Sequence, residues 1–141
     1  MKIFTLAPIS TVTLTELLSL YVIYLLIAYI VIFPFTLVYK ERGKLRTSDY
    51  STILITVPIE DFIFRFLPIY FFNGDVNIAF TSHIIWAILH GFPSCIAVGI
   101  LGILFLRLWL GGLWSIALIL HILHDIFIVS VIKLVGGKVR A

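Results

Sequence analysis

Long apolar runs, separated by short polar or glycine-containing turns, dominate this chain. A helix needs roughly 20 apolar residues to cross the hydrocarbon of a bilayer. The candidate segments are 14–39, 50–72, 76–90, 94–109 and 113–134. The first opens with Thr13-Leu14-Thr15-Glu16, a capping-box pattern in which Glu16 reaches back to the cap amide. The pattern predicts an all-α, polytopic transmembrane bundle of about five spans, in one domain that covers 1–141.

The composition favours the same class of protein. Of the 141 residues, 62% are hydrophobic and 12% are charged, and the mean hydropathy is +1.19. Soluble domains have about 45–50% apolar and about 25% charged residues, so a soluble enzyme is excluded. Nucleic acid is excluded as a partner, because the ten Lys and Arg residues are scattered through apolar runs and form no basic face. The single cysteine, Cys95, excludes a disulfide framework and a cysteine-based zinc site.

Positive charges in the loops predict the orientation. They concentrate in the first loop and after the last segment, at Lys40, Arg42, Lys44, Arg46, Lys133, Lys138 and Arg140. With five spans, these positions share one side of the membrane, and Lys2 and Arg107 lie near the other. Because cytoplasmic loops carry the excess of Lys and Arg, the N-terminus is expected outside and the C-terminus in the cytoplasm of a cell-membrane protein. The first segment is too long for a signal peptide and is expected to be retained.

Ionisable residues inside the apolar segments are the main anomaly. Glu60, Asp61 and Arg65 lie within the second segment, and Asp125 lies within the fifth. A charge at the centre of a membrane helix costs roughly 2.5–3.5 kcal/mol on insertion scales. Their presence therefore indicates a functional site. The alternative interpretation is that they only lock the helices together.

Helical spacing predicts which charged side chains of the second segment lie on the same helix face. Asp61 and Arg65 are four residues apart, so they share a helix face and can form an ion pair. Glu60 is five residues from Arg65 and is expected to turn away from it. This division leaves Glu60 free for general acid or base chemistry.

Histidines lie at a depth similar to that of Glu60. His121 and Asp125 share a face of the fifth segment, where a carboxylate can orient a histidine, and His124 lies near the same stripe. His90 ends the third segment. From the positions along each segment, we expect Glu60, His90 and His121 to meet.

Three short motifs follow one another along the second, third and fifth segments. They are EDFIFR at 60–65, WAILH at 86–90 and HILHD at 121–125. In this order they resemble the E-E-x-x-x-R, F-x-x-x-H and H-x-x-x-N motifs of the CPBP intramembrane proteases. That family includes type II CAAX prenyl endopeptidases and bacteriocin-processing or self-immunity proteins. The resemblance covers 50–133.

Three positions depart from the family pattern. Asp61 stands where the family has Glu, which keeps a negative charge beside Arg65, and Trp86 replaces Phe. Asp125 replaces Asn, and an ionised Asp cannot donate to a developing oxyanion as Asn can. Asp125 is therefore either protonated, a partner of a histidine or a metal ligand.

The resemblance implies an endopeptidase that hydrolyses a peptide bond of a membrane-associated protein or of a prenylated or peptide substrate. It implies that Glu60 activates water, and that His90 and His121 bind a metal or stabilise the intermediate. Asp125 takes the position of the family's Asn. The residues in supporting roles are Asp61, Arg65 and His124.

The sequence leaves open whether the site uses a metal ion, and it allows more than one function. Glu60, His90 and His121 suit zinc ligation with an open water position, and they also suit metal-free glutamate catalysis. Of the two, the metalloprotease description is favoured. A non-catalytic immunity or partner-binding protein is the main alternative function, indicated by the small size and by Asp125. A proton pathway is a third reading, although the titratable residues cluster at one depth instead of crossing the bilayer.

Overall fold

A computed structural model describes residues 13–39 and 50–134, and all regular structure in these ranges is helical. The helices are α1 (Leu14–Tyr39), α2 (Tyr50–Asp61), α3 (Leu67–Phe71), α4 (Val76–Leu89), α5 (Ser94–Leu110) and α6 (Trp114–Leu134). A π-helical segment, Phe62–Phe66, joins α2 to α3 without a break. The all-α prediction is confirmed for the described residues.

Capping residues set the starts of two helices. Thr13 and Glu16 form the predicted capping box: the Thr13 amide donates to Oε2 of Glu16 at 2.8 Å, and the Glu16 amide donates to Oγ1 of Thr13 at 3.3 Å. Asp75 caps α4, because its Oδ1 accepts from the amides of Asn77 and Ile78. These side chains satisfy amides that have no partner within the helix.

A Schellman motif ends α5. Gly112 has a φ of 80°, and its amide donates to the carbonyl of Trp109 at 3.1 Å. The amide of Leu113 donates to the carbonyl of Leu108 at 2.8 Å. This turn returns the chain against α5, so that the rings of Trp109 and Trp114 lie 6.3 Å apart.

The central helix is α5, which packs against α1, α4 and α6. The core that α5 shares with α1 and α6 consists of Leu17, Leu101, Leu104, Phe105, Leu108, Ala117 and Leu120. A second cluster, formed by Ile53, Val57 and Val129, joins α2 to α6. The π-helical segment contacts α4 and α5. The charged residues at the end of α2 therefore lie among three other helices.

The outer surface of the bundle is largely apolar. Large exposed side chains include Leu18, Ile30, Leu54, Ile55, Phe62, Ile88 and Leu123. Among the described helices, α1 is long and apolar enough by itself to cross a membrane, with a mean hydropathy of 2.1 over Leu14–Val31. Most of the loop charges that predict orientation, at 2, 40–46 and 138–140, lie outside the described residues.

Candidate active site

The predicted ion pair between Asp61 and Arg65 lies in the interior of the bundle. Nη1 of Arg65 donates to Oδ1 of Asp61, and the two residues are 0% and 1% exposed, respectively. The guanidinium carbon of Arg65 lies 4.3 Å from the centre of the Trp86 ring and 5.8 Å from that of Phe105. In the described part of the chain, Nε and Nη2 of Arg65 have no hydrogen-bond partner. Cation–π contacts therefore accommodate the rest of the guanidinium.

His121 and Arg65 both contact the carboxylate of Asp61. Its Nδ1 lies 3.0 Å from Oδ1 of Asp61, and the indole N–H of Trp109 donates to Oδ2 at 3.2 Å. Because an ionised carboxylate only accepts, Nδ1 of His121 is assigned the proton. Asp125, the partner expected from helical spacing, lies further away, with Oδ1 3.9 Å from Nε2 of His121. The carboxylate that orients His121 therefore comes from α2, which packs on α6.

Glu60 is half-buried and accepts a hydrogen bond, whereas helical spacing predicts that its side chain has no partner. The indole N–H of Trp86 donates to Oε2 of Glu60 at 3.0 Å. Glu60 also interacts electrostatically with Arg65, and both residues contact Trp86. The predicted separation of the two side chains stays a prediction, since no hydrogen bond or ion pair joins Glu60 to Arg65 in the described part of the chain. Glu60 lies in α2, and Arg65 lies in the π-helical segment that follows it.

His90 lies at the exposed end of α4. Its Nδ1 is 2.9 Å from the carbonyl oxygen of Trp86, which can only accept, so Nδ1 donates and Nε2 remains as an acceptor. The His90 ring meets the Trp86 ring edge-on, with centroids 4.7 Å apart. His121 meets the same indole edge-on at 5.6 Å. Glu60, His90 and His121 thus all contact one tryptophan.

A zinc ion held by Glu60, His90 and His121 stays a prediction, because the described geometry does not bring the three side chains around one ligand position. Among the described residues, no three His, Cys, Asp or Glu side chains form a group that could hold a metal ion. The Nδ1 atoms of both histidines are engaged, one with the Trp86 carbonyl and one with Asp61, which leaves Nε2 of each ring as the possible ligand atom. The three predicted ligands share the Trp86 indole instead of a common ligand position.

Asp125 connects the predicted residues electrostatically. Its side chain is 35% exposed. It interacts electrostatically with His121, Glu60, His90 and Asp61. The four predicted catalytic residues therefore form one cluster of titratable groups next to the buried Asp61–Arg65 pair.

His124, a predicted supporting residue, is tied to α1. Its Nδ1 lies 2.8 Å from the hydroxyl of Tyr21, and the two rings meet edge-on at 5.8 Å. It also contacts the ring of Phe105, at 6.4 Å. These contacts join α6 to α1 and α5 one residue before Asp125.

Three residues of the site and its surroundings received no role from the sequence. Trp109 and Tyr21 bond Asp61 and His124, respectively, across 48 and 103 residues of chain. His83 is buried, and its Nε2 lies 2.8 Å from the carbonyl oxygen of Gly99. A polar aromatic residue within an aliphatic run, such as Tyr21, is the signal that could have indicated a buried partner. Nothing local identifies which partner it meets.

A cavity of about 300 Å³ lies beside Asp61. Its lining residues are Pro58, Asp61, Phe62, Phe66, Trp109, Trp114 and Leu118. Neither Glu60 nor His90 is among them. The cavity therefore touches the buried ion pair from a direction different from that of the Glu60 and His90 side chains.

Comparison of the chain with models of protein families, with curated proteins and with solved structures finds no match. The resemblance to the CPBP proteases therefore rests on the three sequence motifs alone.

Proposed function

We propose that this chain is an intramembrane endopeptidase that hydrolyses a peptide bond of a membrane-associated peptide or protein. The observation that carries the proposal is the meeting of four titratable residues from α2, α6 and the end of α4. Glu60, His90 and His121 contact the Trp86 ring, and Asp125 interacts electrostatically with all three. Ionisable residues that cluster within membrane helices mark functional sites by default.

The proposal includes a polytopic arrangement of five spans in the cell membrane. Apolar side chains cover much of the described exterior, while the charged pair Asp61–Arg65 lies inside. Lipid is the solvent that this distribution favours. The helical path from α2 through the π-helical segment to α3 is long enough to serve as the second span, at 1.5 Å per residue.

Glu60 acts as the general base in this proposal. Its carboxylate takes a proton from water while the water oxygen adds to the scissile carbonyl carbon. The same proton then passes to the amide nitrogen as the C–N bond breaks, which yields a carboxyl group and an amine. The hydrogen bond from Trp86 holds the carboxylate in place.

The histidines stabilise the oxyanion in this proposal. Their Nδ1 atoms are engaged, so each presents Nε2, which donates to an oxyanion when the ring is protonated. Asp61 orients His121, and Oδ1 of Asp125 lies 3.9 Å from its Nε2. No step uses a metal ion.

The test is cleavage by the purified full chain in liposomes. The probe is a library of synthetic transmembrane-helix peptides, and mass spectrometry detects new termini. The wild type is expected to cleave members of the library, and Glu60→Gln is expected to lose cleavage by at least about 100-fold, as for a lost general base. The matched control is Glu16→Gln, at an exposed capping position where Gln also serves.

Equal cleavage by the wild type and Glu60→Gln contradicts the proposal. Absence of cleavage in the whole library also contradicts it and favours the non-catalytic alternative. In that case, Glu60→Gln keeps the biological phenotype, and substitutions on the apolar exterior remove it.

A further inference from the structure

We propose that Arg107 and Tyr24 bind the phosphate group of an anionic lipid on the face of the bundle where α5 meets α1. The proposal rests on the membrane arrangement proposed above and is independent of the proposed hydrolysis. It follows from the contacts of the two side chains, from the distribution of acidic residues along the chain and from the position of Arg107 in α5.

Arg107 uses little of its hydrogen-bonding capacity within the protein. Its Nη1 donates to the hydroxyl oxygen of Tyr24 at 3.4 Å, which is longer than an ordinary N–H···O hydrogen bond. No other side-chain hydrogen bond and no ion pair joins Arg107 to the described residues. A guanidinium has five N–H donors in one plane and keeps its positive charge in proteins. Arg107 therefore has donors and a charge available for a partner outside the described chain.

The hydroxyl of Tyr24 supplies a second donor beside Arg107. Its oxygen accepts from Arg107, so its own proton is available for donation, and no acceptor for that proton lies among the described residues. The Tyr24 ring packs against the core that α1 shares with α5, which holds the hydroxyl in position. One charged and one neutral donor side by side suit an oxyanion, and the oxygens of a phosphate can accept from both.

The chain itself offers Arg107 no acidic partner. Of the seven acidic residues, five are described, and their contacts lie elsewhere: Glu16, Glu60, Asp61, Asp75 and Asp125. The other two, Glu41 and Asp49, belong to the first loop, which the proposed topology places on the opposite side of the membrane from the turn after α5. An unpaired charge among membrane helices is unfavourable. The counter-charge is therefore expected from outside the chain.

The position of Arg107 favours a lipid as the source of that counter-charge. Arg107 lies three residues before Leu110, the end of α5, or about 4.5 Å along the helix axis. A long arginine side chain near a helix end reaches the membrane surface with its charge while its stem stays among apolar groups. Arg107 and Tyr24 are both half-buried, and Ile23 and Ile27 beside them on α1 are exposed. In the proposed arrangement this surface faces lipid.

The charge of Arg107 selects an anionic lipid over a zwitterionic one. The phosphate of phosphatidylcholine is already balanced by the quaternary ammonium of the same headgroup, whereas phosphatidylglycerol carries no cation of its own. Pairing with Arg107 therefore neutralises the phosphate of phosphatidylglycerol and the guanidinium together. The planar guanidinium can bind two phosphate oxygens at once.

The first test compares two lipids that differ only in the headgroup. The full chain in detergent is titrated with dioleoyl phosphatidylglycerol or dioleoyl phosphatidylcholine, and native mass spectrometry measures the bound lipid. The wild type is expected to bind its first phosphatidylglycerol about tenfold more tightly than phosphatidylcholine, and Arg107→Gln is expected to lose this preference. Equal affinities in the wild type, or an unchanged preference in Arg107→Gln, overturn the proposal.

A matched variant separates the site from the net charge. Lys133→Gln removes the same charge near the other end of the bundle, in the last turn of α6. It is expected to keep the preference for phosphatidylglycerol. An equal loss of preference in Lys133→Gln and Arg107→Gln overturns the proposal, because the net charge alone then accounts for the binding.

The hydroxyl of Tyr24 has a matched control on the same helix. Tyr24→Phe removes the second donor and is expected to weaken binding of phosphatidylglycerol several-fold. Tyr21→Phe removes a hydroxyl that meets His124 instead, and it is expected to leave binding unchanged. Equal binding by Tyr24→Phe and the wild type overturns the two-donor site, and this comparison decides the matter if Arg107→Gln does not fold.

Competition and flotation identify the ligand and separate this proposal from the proposed function. Displacement of phosphatidylglycerol by an equal concentration of inorganic phosphate overturns lipid as the ligand, and retention of the lipid supports it. Displacement by a transmembrane peptide with one Glu, and not by its Gln counterpart, favours a protein carboxylate and also overturns it. A chain that does not float with liposomes contradicts the membrane arrangement and the lipid site together. An inserted chain without preference for phosphatidylglycerol overturns the lipid site alone.

Discussion

Asp61 holds three donors at once inside the bundle. Arg65 and His121 meet one of its oxygens, and Trp109 meets the other. One carboxylate therefore neutralises a buried guanidinium, orients an imidazole and anchors the end of α5. Removing the carboxylate leaves Arg65 buried without its counter-charge. This lowers stability more than replacing both partners by apolar residues does.

Asp61→Asn is expected to lower the free energy of unfolding by about 3–5 kcal/mol, because it leaves the buried guanidinium uncompensated. The measurement is reversible unfolding in mixed detergent micelles. Asp75→Asn is the matched control, because Asn caps a helix as well as Asp does. A loss below about 1 kcal/mol, the level of a surface pair, would contradict the assignment of Asp61 as the centre of the buried network.

Chelation tests the arrangement around Trp86. Because the side chains of Glu60, His90 and His121 share an indole and not a ligand position, we expect peptide cleavage to persist after dialysis against EDTA. Elemental analysis of the dialysed protein checks that metal is removed. Loss of cleavage on chelation, restored by zinc, would show that this arrangement is not the active one.

At the scale of elements, the π-helical segment and α5 bring the site together. Glu60, near the end of α2, and Arg65, in the π-helical segment, both contact the Trp86 indole. One of its carbonyls, that of Phe64, accepts a hydrogen bond from Ser82 of α4 at 2.9 Å. The position of α4 against α5 depends in turn on a glycine.

Gly102→Ala is expected to destabilise the bundle by about 1–3 kcal/mol through overpacking. A Cβ at this position would lie 2.7 Å from Cζ3 of Trp86 and against the ring of His83. Gly99→Ala is the control on the same helix, since its Cβ would lie 3.5 Å from Cβ of Ala87, an ordinary contact. Thermal unfolding of both variants makes the comparison, and equal stabilities would contradict the described packing.

The helices were predictable because their signals are local. The apolar segments and the capping box at Thr13 and Glu16 are properties of neighbouring residues, and the described helix ends lie within one residue of the segment ends. The i,i+4 pair Asp61–Arg65 was predictable for the same reason. The contact of Asp61 with His121 spans 60 residues. It depends on how α2 packs against α6, and a single sequence carries no measure of that packing.

At the scale of the whole molecule, an apolar exterior encloses a small charged interior. This distribution is the reverse of that in a soluble domain, and it supports the proposed membrane topology. The proposal places the loop 40–49 in the cytoplasm and the turn at Asn73 and Gly74 outside.

Labelling of single cysteines tests this topology. In a Cys95→Ala background, Asn73→Cys is expected to react with a membrane-impermeant maleimide on intact cells. Ser48→Cys is expected to react only after the cells are opened, because the positive first loop stays in the cytoplasm. The reverse pattern would contradict the orientation, and reaction of both on intact cells would contradict the second span.

The central claim is that Glu60 activates water to hydrolyse a peptide bond, and cleavage in oxygen-18 water tests it most directly. The wild type in liposomes is expected to place one oxygen-18 atom in the new C-terminal carboxylate of a cleaved transmembrane peptide. Glu60→Gln, folded and inserted to the same extent, is expected to give no labelled product above background. Labelled product at equal rates from both proteins, or none from the wild type, would contradict the account.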